Sequence, residues 1–106
     1  MSPVAMADEL DLVFRALADP TRRRIVERLA ERDGQSLFEL CAAAVAQGQL
    51  AMTRQAISQH LDVLEKAGLV QIAWSGRTKL HRLNLDPLRR AEASWIDPLL
   101  QKDIER

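Results

Sequence analysis

The residues best equipped for chemistry lie together between Thr53 and His60. Arg54, Gln55, Ser58 and Gln59 fall at spacings that place them on one face of a helix, away from Ile57, His60, Leu61 and Leu64. Gln pairs two-pronged with adenine, Arg with guanine or a phosphate, and Ser with either, so this face carries groups that read base edges. A plain solvated face has the same spacing, but such faces ordinarily mix Glu and Lys, and the first two turns here carry no carboxylate. Asp62 continues the stripe further along, where it suits phosphate poorly.

The elements that must hold this face are legible on either side. Thr53 is a natural N-cap, Met52 and Ile57 can close a hydrophobic staple, and Gly68 is the natural stop, which bounds a helix at about 53–67. Leu69–Trp74 and Lys79–Leu85 are β-prone runs joined by Ser75-Gly76-Arg77-Thr78, a hairpin with Gly76 in the turn. Arg77, Lys79 and Arg82 place cations on or near its tip, with Thr78 among them. A polar-faced helix followed by a basic hairpin at about 69–85 predicts a mainly α fold with a small β-hairpin wing, a winged helix-turn-helix.

With those elements in place the chain resembles the ArsR/SmtB type of bacterial winged-helix repressor. The likeness is carried by the run Phe14 to Arg22 (FRALADPTR), the run Gln55 to Leu64 (QAISQHLDVL), Ala67-Gly68-Leu69-Val70, and Gly76-Arg77 with Arg82-Leu83-Asn84. It spans about Leu10 to Leu85. The resemblance implies a homodimer that binds a pseudo-palindromic operator and regulates transcription. Thr53, Arg54, Gln55, Ser58, Gln59 and His60, with Arg77, Thr78 and Lys79 of the wing, are the expected DNA contacts. In that family the first and last helices make the dimer, which suits the stripes Leu10, Val13, Phe14, Leu17 and Leu88, Ala91, Trp95, Leu99; alternatively Trp95 caps the protomer's own core. Metal-sensing relatives carry paired cysteines on the third helix, or Asp and His ligands on the last. Here only Cys41 lies near the first position and the last helix has no His, so no metal or other cofactor is expected. Release from DNA is then expected from a protein partner, a small apolar ligand or falling protein concentration.

Composition agrees with one small domain. The chain has 106 residues and 47% hydrophobic residues, enough for a small core that dimerisation would complete. No run is apolar enough to span a bilayer and no basic-then-apolar leader precedes the domain, so a cytoplasmic location is expected, in keeping with the lone Cys41. The formal net charge is zero, but residues 51–85 carry Arg54, Lys66, Arg77, Lys79 and Arg82 against Asp62 and Glu65. Residues 1–20 carry Asp8, Glu9, Asp11 and Asp19 against Arg15. Positive charge is thus concentrated where phosphate would lie, which predicts modest, salt-sensitive affinity.

In chain order, residues 1–7 are expected to be a flexible terminus and 8–106 the single winged domain. A first helix should start at Asp8, with Asp8, Glu9 and Asp11 near its N-terminus. Asp19-Pro20 should cap and open a second, with Ile25, Val26 and Leu29 inward and Arg22, Arg23 and Arg24 on a solvated face. Ser36 and Glu39 form a capping-box pair, predicting a third helix from Leu37 to Gln47 with Leu37, Leu40, Cys41 and Ala44 inward. The stretch from Glu39 to Thr53 exceeds the family's usual spacing by roughly two helical turns. Either the third helix extends through Ala42–Ala46 or a loop sits at Gln47–Ala51. Asp86-Pro87 should cap a helix that Pro98 kinks or restarts.

Enzymatic readings find no support, since no Gly-rich phosphate loop, nucleophile elbow or histidine–carboxylate constellation occurs. A winged-helix protein-interaction module would use the same surface, although a basic wing favours DNA. A single-cysteine redox regulator would need an exposed, acidic Cys41, and its place among Leu37, Leu40 and Ala44 argues for burial. His81 is expected on the wing, facing solvent or phosphate.

Overall fold

The structure is a computed structural model that describes residues 3–48 and 52–104, for the backbone alone at 3–7 and 104. Helix α1 spans Pro3–Leu17, α2 Pro20–Glu31, α3 Leu37–Ala46 and α4 Arg54–Lys66; strands β1 (Val70–Ser75) and β2 (Thr78–Leu83) come next, then α5 (Asp86–Ala91), a π-helical turn (Glu92–Ile96) and α6 (Asp97–Ile104). The core gathers the inward residues of these helices, among them Ala16, Ile25, Leu29, Leu40, Ala44, Ile57, Leu61 and Leu64, with Leu69 and Val70 sealing the hairpin end.

Local signals explain most boundaries. Asp19 caps α2 by accepting the Arg22 N–H at 3.0 Å, with Pro20 in the first turn where its missing N–H costs nothing. Both halves of the Ser36–Glu39 capping box form. The third helix runs through Ala42–Ala46 and ends in a Gln47-Gly48 turn, Gly48 having φ +81°; the rest of the connection, residues 49–51, lies outside the described residues. The hairpin ladder extends to Ser75↔Thr78, leaving Gly76 and Arg77 as a two-residue turn. Gly76 has φ +60° and, among the described residues, no non-glycine residue has positive φ, the pattern of a type II′ turn.

Several expectations give way. Helix α1 begins at Pro3, not Asp8, because Pro suits a helix start and Ala5, Met6 and Ala7 are strong helix formers. Residues 3–7 of the segment expected to be flexible are therefore helical, residues 1 and 2 lie outside the described residues, and Asp8, Glu9 and Asp11 miss the first turn. Asp86 sits within α5 and pairs with Arg89 at 2.9 Å instead of capping, while Asn84 Oδ1 accepts the Asp86 N–H. Pro98 does mark the expected fresh start, since α6 begins at Asp97 with Pro98 in its first turn. Its absent N–H and its ring are accommodated by the preceding π turn, in which the Asp97 N–H bonds the Glu92 carbonyl. Among the described residues no helix is long and apolar enough to cross a membrane.

The hairpin is tied to the helices at its base. Gln35 and His81 exchange backbone hydrogen bonds at 3.1 and 2.8 Å. Asp33 Oδ1 accepts the Leu83 N–H at 2.7 Å, and Arg82 Nε lies 3.5 Å from Oδ2. The Leu83 N–H, then Gly34 and Arg82, outweigh desolvation and hold the Asp33 carboxyl below its ordinary value. Its contribution is therefore complete above pH about 4 and lost as pH falls through the lowered value. Asp33→Ala should reduce stability at neutral pH by about 1 kcal/mol, the side chain being half-exposed and screened. Urea unfolding at neutral pH and in acid below the lowered value checks this, because the difference from wild type should vanish in acid.

Candidate nucleic-acid interface

Helix α4 divides into two faces. Ile57, Leu61 and Leu64 are buried, whereas Arg54, Gln55, Ser58, Gln59 and Asp62 are exposed. Thr53 Oγ1 accepts the Ala56 N–H at 3.0 Å, fixing the first turn from which Arg54 and Gln55 project, and half-buried Met52 packs on the core. Asp62 is matched by Lys66 at 2.8 Å one turn on, which removes an uncompensated carboxylate from the far end of the stripe.

Cations and carboxylates are unevenly matched across the surface. Arg32 pairs with Glu39, Arg82 with Asp33, Arg89 with Asp86 and Arg90 with Glu9. Arg54, Arg77 and Lys79 have no carboxylate partner among the described residues, and all three are exposed, Arg54 at the start of α4 and the other two at the wing tip with Thr78. The hairpin itself contains no Asp or Glu. Arg82 is at the wing's base, opposite Gln71, and not near the tip as expected.

His60 does not share the exposed face. Its side chain is 22% exposed, Nδ1 accepts from Arg22 Nη1 at 3.2 Å, and Asp19 Oδ2 lies 3.8 Å away. An Arg N–H only donates, so the neutral ring carries its proton on Nε2. Burial alone would raise the Asp19 carboxyl, but the Arg22 N–H and nearby positive charge hold it low. His81 is buried, not solvated, with Nδ1–H donating to the Gln35 carbonyl at 2.9 Å. Cys41 is half-buried and packs on the core.

Three residues that sequence reasoning misread or passed over complete the frame. Arg22, expected on a solvated face, donates to the carbonyls of Ala16 at 2.7 Å and Arg15 at 3.1 Å while bonding His60, joining α1, α2 and α4. Gln35 is buried, and its amide donates to the carbonyls of Arg28 and Arg32, closing the end of α2. Arg28 is also buried, 2.8 Å from Gln47 Oε1 beyond α3. Only the surplus of Arg in the second helix hinted at any of them.

The residues expected at a subunit seam separate into two sets. Val13 and Ala91 are 1% and 3% exposed, held in the protomer's own core because α1 packs on α5; Leu17 and Leu88 are half-buried against the core, and Leu10 is half-buried. Phe14, Trp95 and Leu99 are exposed, Phe14 and Trp95 in an edge-on contact with centroids 5.4 Å apart. Ile96 and Leu100, exposed on the same C-terminal helix, were not anticipated.

A capped helix with a polar outer face, anchored behind by apolar packing and flanked by a basic hairpin, defines a winged helix-turn-helix DNA-binding protein. A family model described as a helix-turn-helix domain matches residues 17–72. The chain is 41% identical over 87 residues to an uncharacterized HTH-type transcriptional regulator, YuzN, of Bacillus subtilis, covering 82% of this chain and 95% of that protein. An ArsR-like transcriptional regulator from Rhodococcus superposes with TM-score 0.78 at 31% identity, covering 99% of this chain and 89% of its own. The homodimeric winged helix-turn-helix domain of Mb0332 from Mycobacterium bovis, a possible ArsR-family regulator, superposes with TM-score 0.66 at 25% identity, covering 92% and 87%. The chain belongs to the ArsR-type family of winged helix-turn-helix transcriptional regulators, a non-enzymatic class.

The Arg22 junction gives a direct test. Arg22→Ala should cost about 1.5–3 kcal/mol, as expected for losing hydrogen bonds from a charged donor to backbone carbonyls. Denaturant midpoints measure this, and a loss below a few tenths of a kcal/mol would show that solvent replaces the guanidinium at no cost.

Proposed function

We propose that the chain acts in the cytoplasm as a homodimeric repressor of a pseudo-palindromic operator, with α4 in the major groove and the wing on the flanking backbone. The observation that carries this reading is that the exposed cations on the α4 and wing side, Arg54, Arg77 and Lys79, have no carboxylate partner among the described residues and bracket the amide and hydroxyl face of Gln55, Ser58 and Gln59. Thr53 and Thr78 sit at the two ends of that surface as hydroxyl donors to phosphate, and His60 supports α4 from behind. The exposed apolar residues Phe14, Trp95, Ile96, Leu99 and Leu100 supply the dimer seam, as supported by the homodimeric relative from Mycobacterium bovis.

Gel-shift titration with duplexes selected from random sequence, beside sedimentation of the free chain, tests this. A dimer should select half-sites about one helical turn apart. Arg77→Ala or Lys79→Ala should weaken all sequences alike and lower the salt slope by up to about one per lost phosphate contact. Gln55→Ala, Ser58→Ala or Gln59→Ala should cost roughly 1–3 kcal/mol mainly on the selected site. Equal affinity for selected and random duplexes would overturn the sequence-specific reading.

We further propose that release from DNA needs no metal bound within the chain. The soft donors are engaged or separated: His60 with Arg22, His81 with Gln35, Cys41 half-buried on α3. Among the described residues no three His, Cys, Asp or Glu side chains converge on one point. A small apolar ligand or a protein partner remains the fitting effector class. Titrating zinc, cadmium, cobalt and arsenite against the DNA complex, with native mass spectrometry, should give no stoichiometric ion. An ion that releases DNA at about micromolar level, but not from Cys41→Ser, would overturn this.

A further inference from the structure

Trp74 stands on the wing with no structural task that accounts for it. It is 66% exposed, and it makes no ring contact among the described residues. Side chains alternate across a strand, so Trp74 and its cross-strand partner Lys79 share a face with Val70, Ile72, His81 and Leu83. Those four are buried or half-buried against the helices, whereas the Trp74–Lys79 pair lies one step beyond Ile72–His81, where the hairpin has passed the core. Strand β1 packs on α4, and the indole lies past the packed part of the strand, one pair before the hairpin turn. Arg77 and Lys79 flank it and the hairpin carries no carboxylate, so the surface around the ring favours a negatively charged partner.

We infer that Trp74 is the apolar element of the wing's DNA contact, laid against the sugar and base edges of the minor groove beside the site that α4 reads. Minor-groove binders pair cations with an apolar side chain pressed against or between base steps, and aromatic stacking on nucleotides tolerates any sequence. Arg77 and Lys79 hold the phosphates on either side, and the ring supplies the contact that salt does not weaken. The inference rests on the proposed placement of the wing on the duplex.

The test uses the full chain with a mixed-sequence duplex and a selected duplex. Trp74→Ala should weaken binding to both at least about fivefold, while Trp74→Phe retains most of the affinity. In Trp95→Phe, the remaining indole should lose acrylamide quenching when either duplex is added. The fluorine spectrum of the 5-fluorotryptophan-labelled wild-type chain gives the same readout with Trp95 intact. Unchanged affinity of Trp74→Ala and an unprotected indole, with Arg77→Ala still weakened, would remove Trp74 from the interface and leave the DNA reading standing. Failure of the wild-type chain to bind either duplex would overturn both.

Discussion

The paired exchange between Gln35 and His81 is the joint on which the molecule turns. Two backbone bonds make residue 35 a single-residue third strand beside β2, and the Gln35 carbonyl takes a second bond from His81 Nδ1–H. Both residues are buried, so each polar atom left unpaired would cost free energy that water could not restore. The Gln35 amide spends its donors on the last carbonyls of α2. The end of a helix, the start of the next and the base of the hairpin are therefore fixed by one satisfied cluster. A two-stranded hairpin alone is marginal in water, and this junction holds the wing at a set distance from α4.

On that scaffold, electrostatics divides the surface. Exposed ion pairs such as Arg89–Asp86 contribute little to stability, yet they neutralise the cations that take part in them. The cations that stay uncompensated on the α4 and wing side are Arg54, Arg77 and Lys79. A chain of zero formal charge thus presents a positive surface without becoming a general polycation. The field of such a surface fades beyond a Debye length of about 8 Å at physiological salt, so it acts once the helix is close to the duplex.

Legibility in the sequence followed the range of the interaction. Thr53, Ser36 with Glu39, Asp19-Pro20 and Gly76 act within a few residues, and the structure places each as composition suggested. Recognition of the α4 face needed only the helical period. Arg22, Gln35 and His81 were misread or missed because their partners lie far along the chain or in another element, and type alone made Arg22 and His81 look solvent-facing. Val13 and Ala91 show the same limit differently: an apolar stripe states that a face is covered, not whether the cover comes from the same chain.

The C-terminal helix shows how one backbone defect redirects such a stripe. Counted at about 100° per residue, Leu88, Ala91, Trp95 and Leu99 lie on one side. The π turn demanded by Pro98 adds a residue to that stretch of ladder and rotates the helix beyond it relative to the helix before it. Ala91 remains buried, whereas every residue from 92 to 103 is exposed. The helix leaves the bundle there, carrying Trp95, Ile96, Leu99 and Leu100 into solvent with Phe14 braced against the first of them. In the proposed dimer these are the residues left for a second copy to cover. A proline that lacks one N–H thereby separates the part of the stripe that completes the protomer from the part that, in the proposed dimer, meets the second copy. Because α1 packs on both α4 and α5, the proposed seam is continuous through α1 with α4, so in the proposed dimer it would set the spacing between two copies of α4 on one duplex.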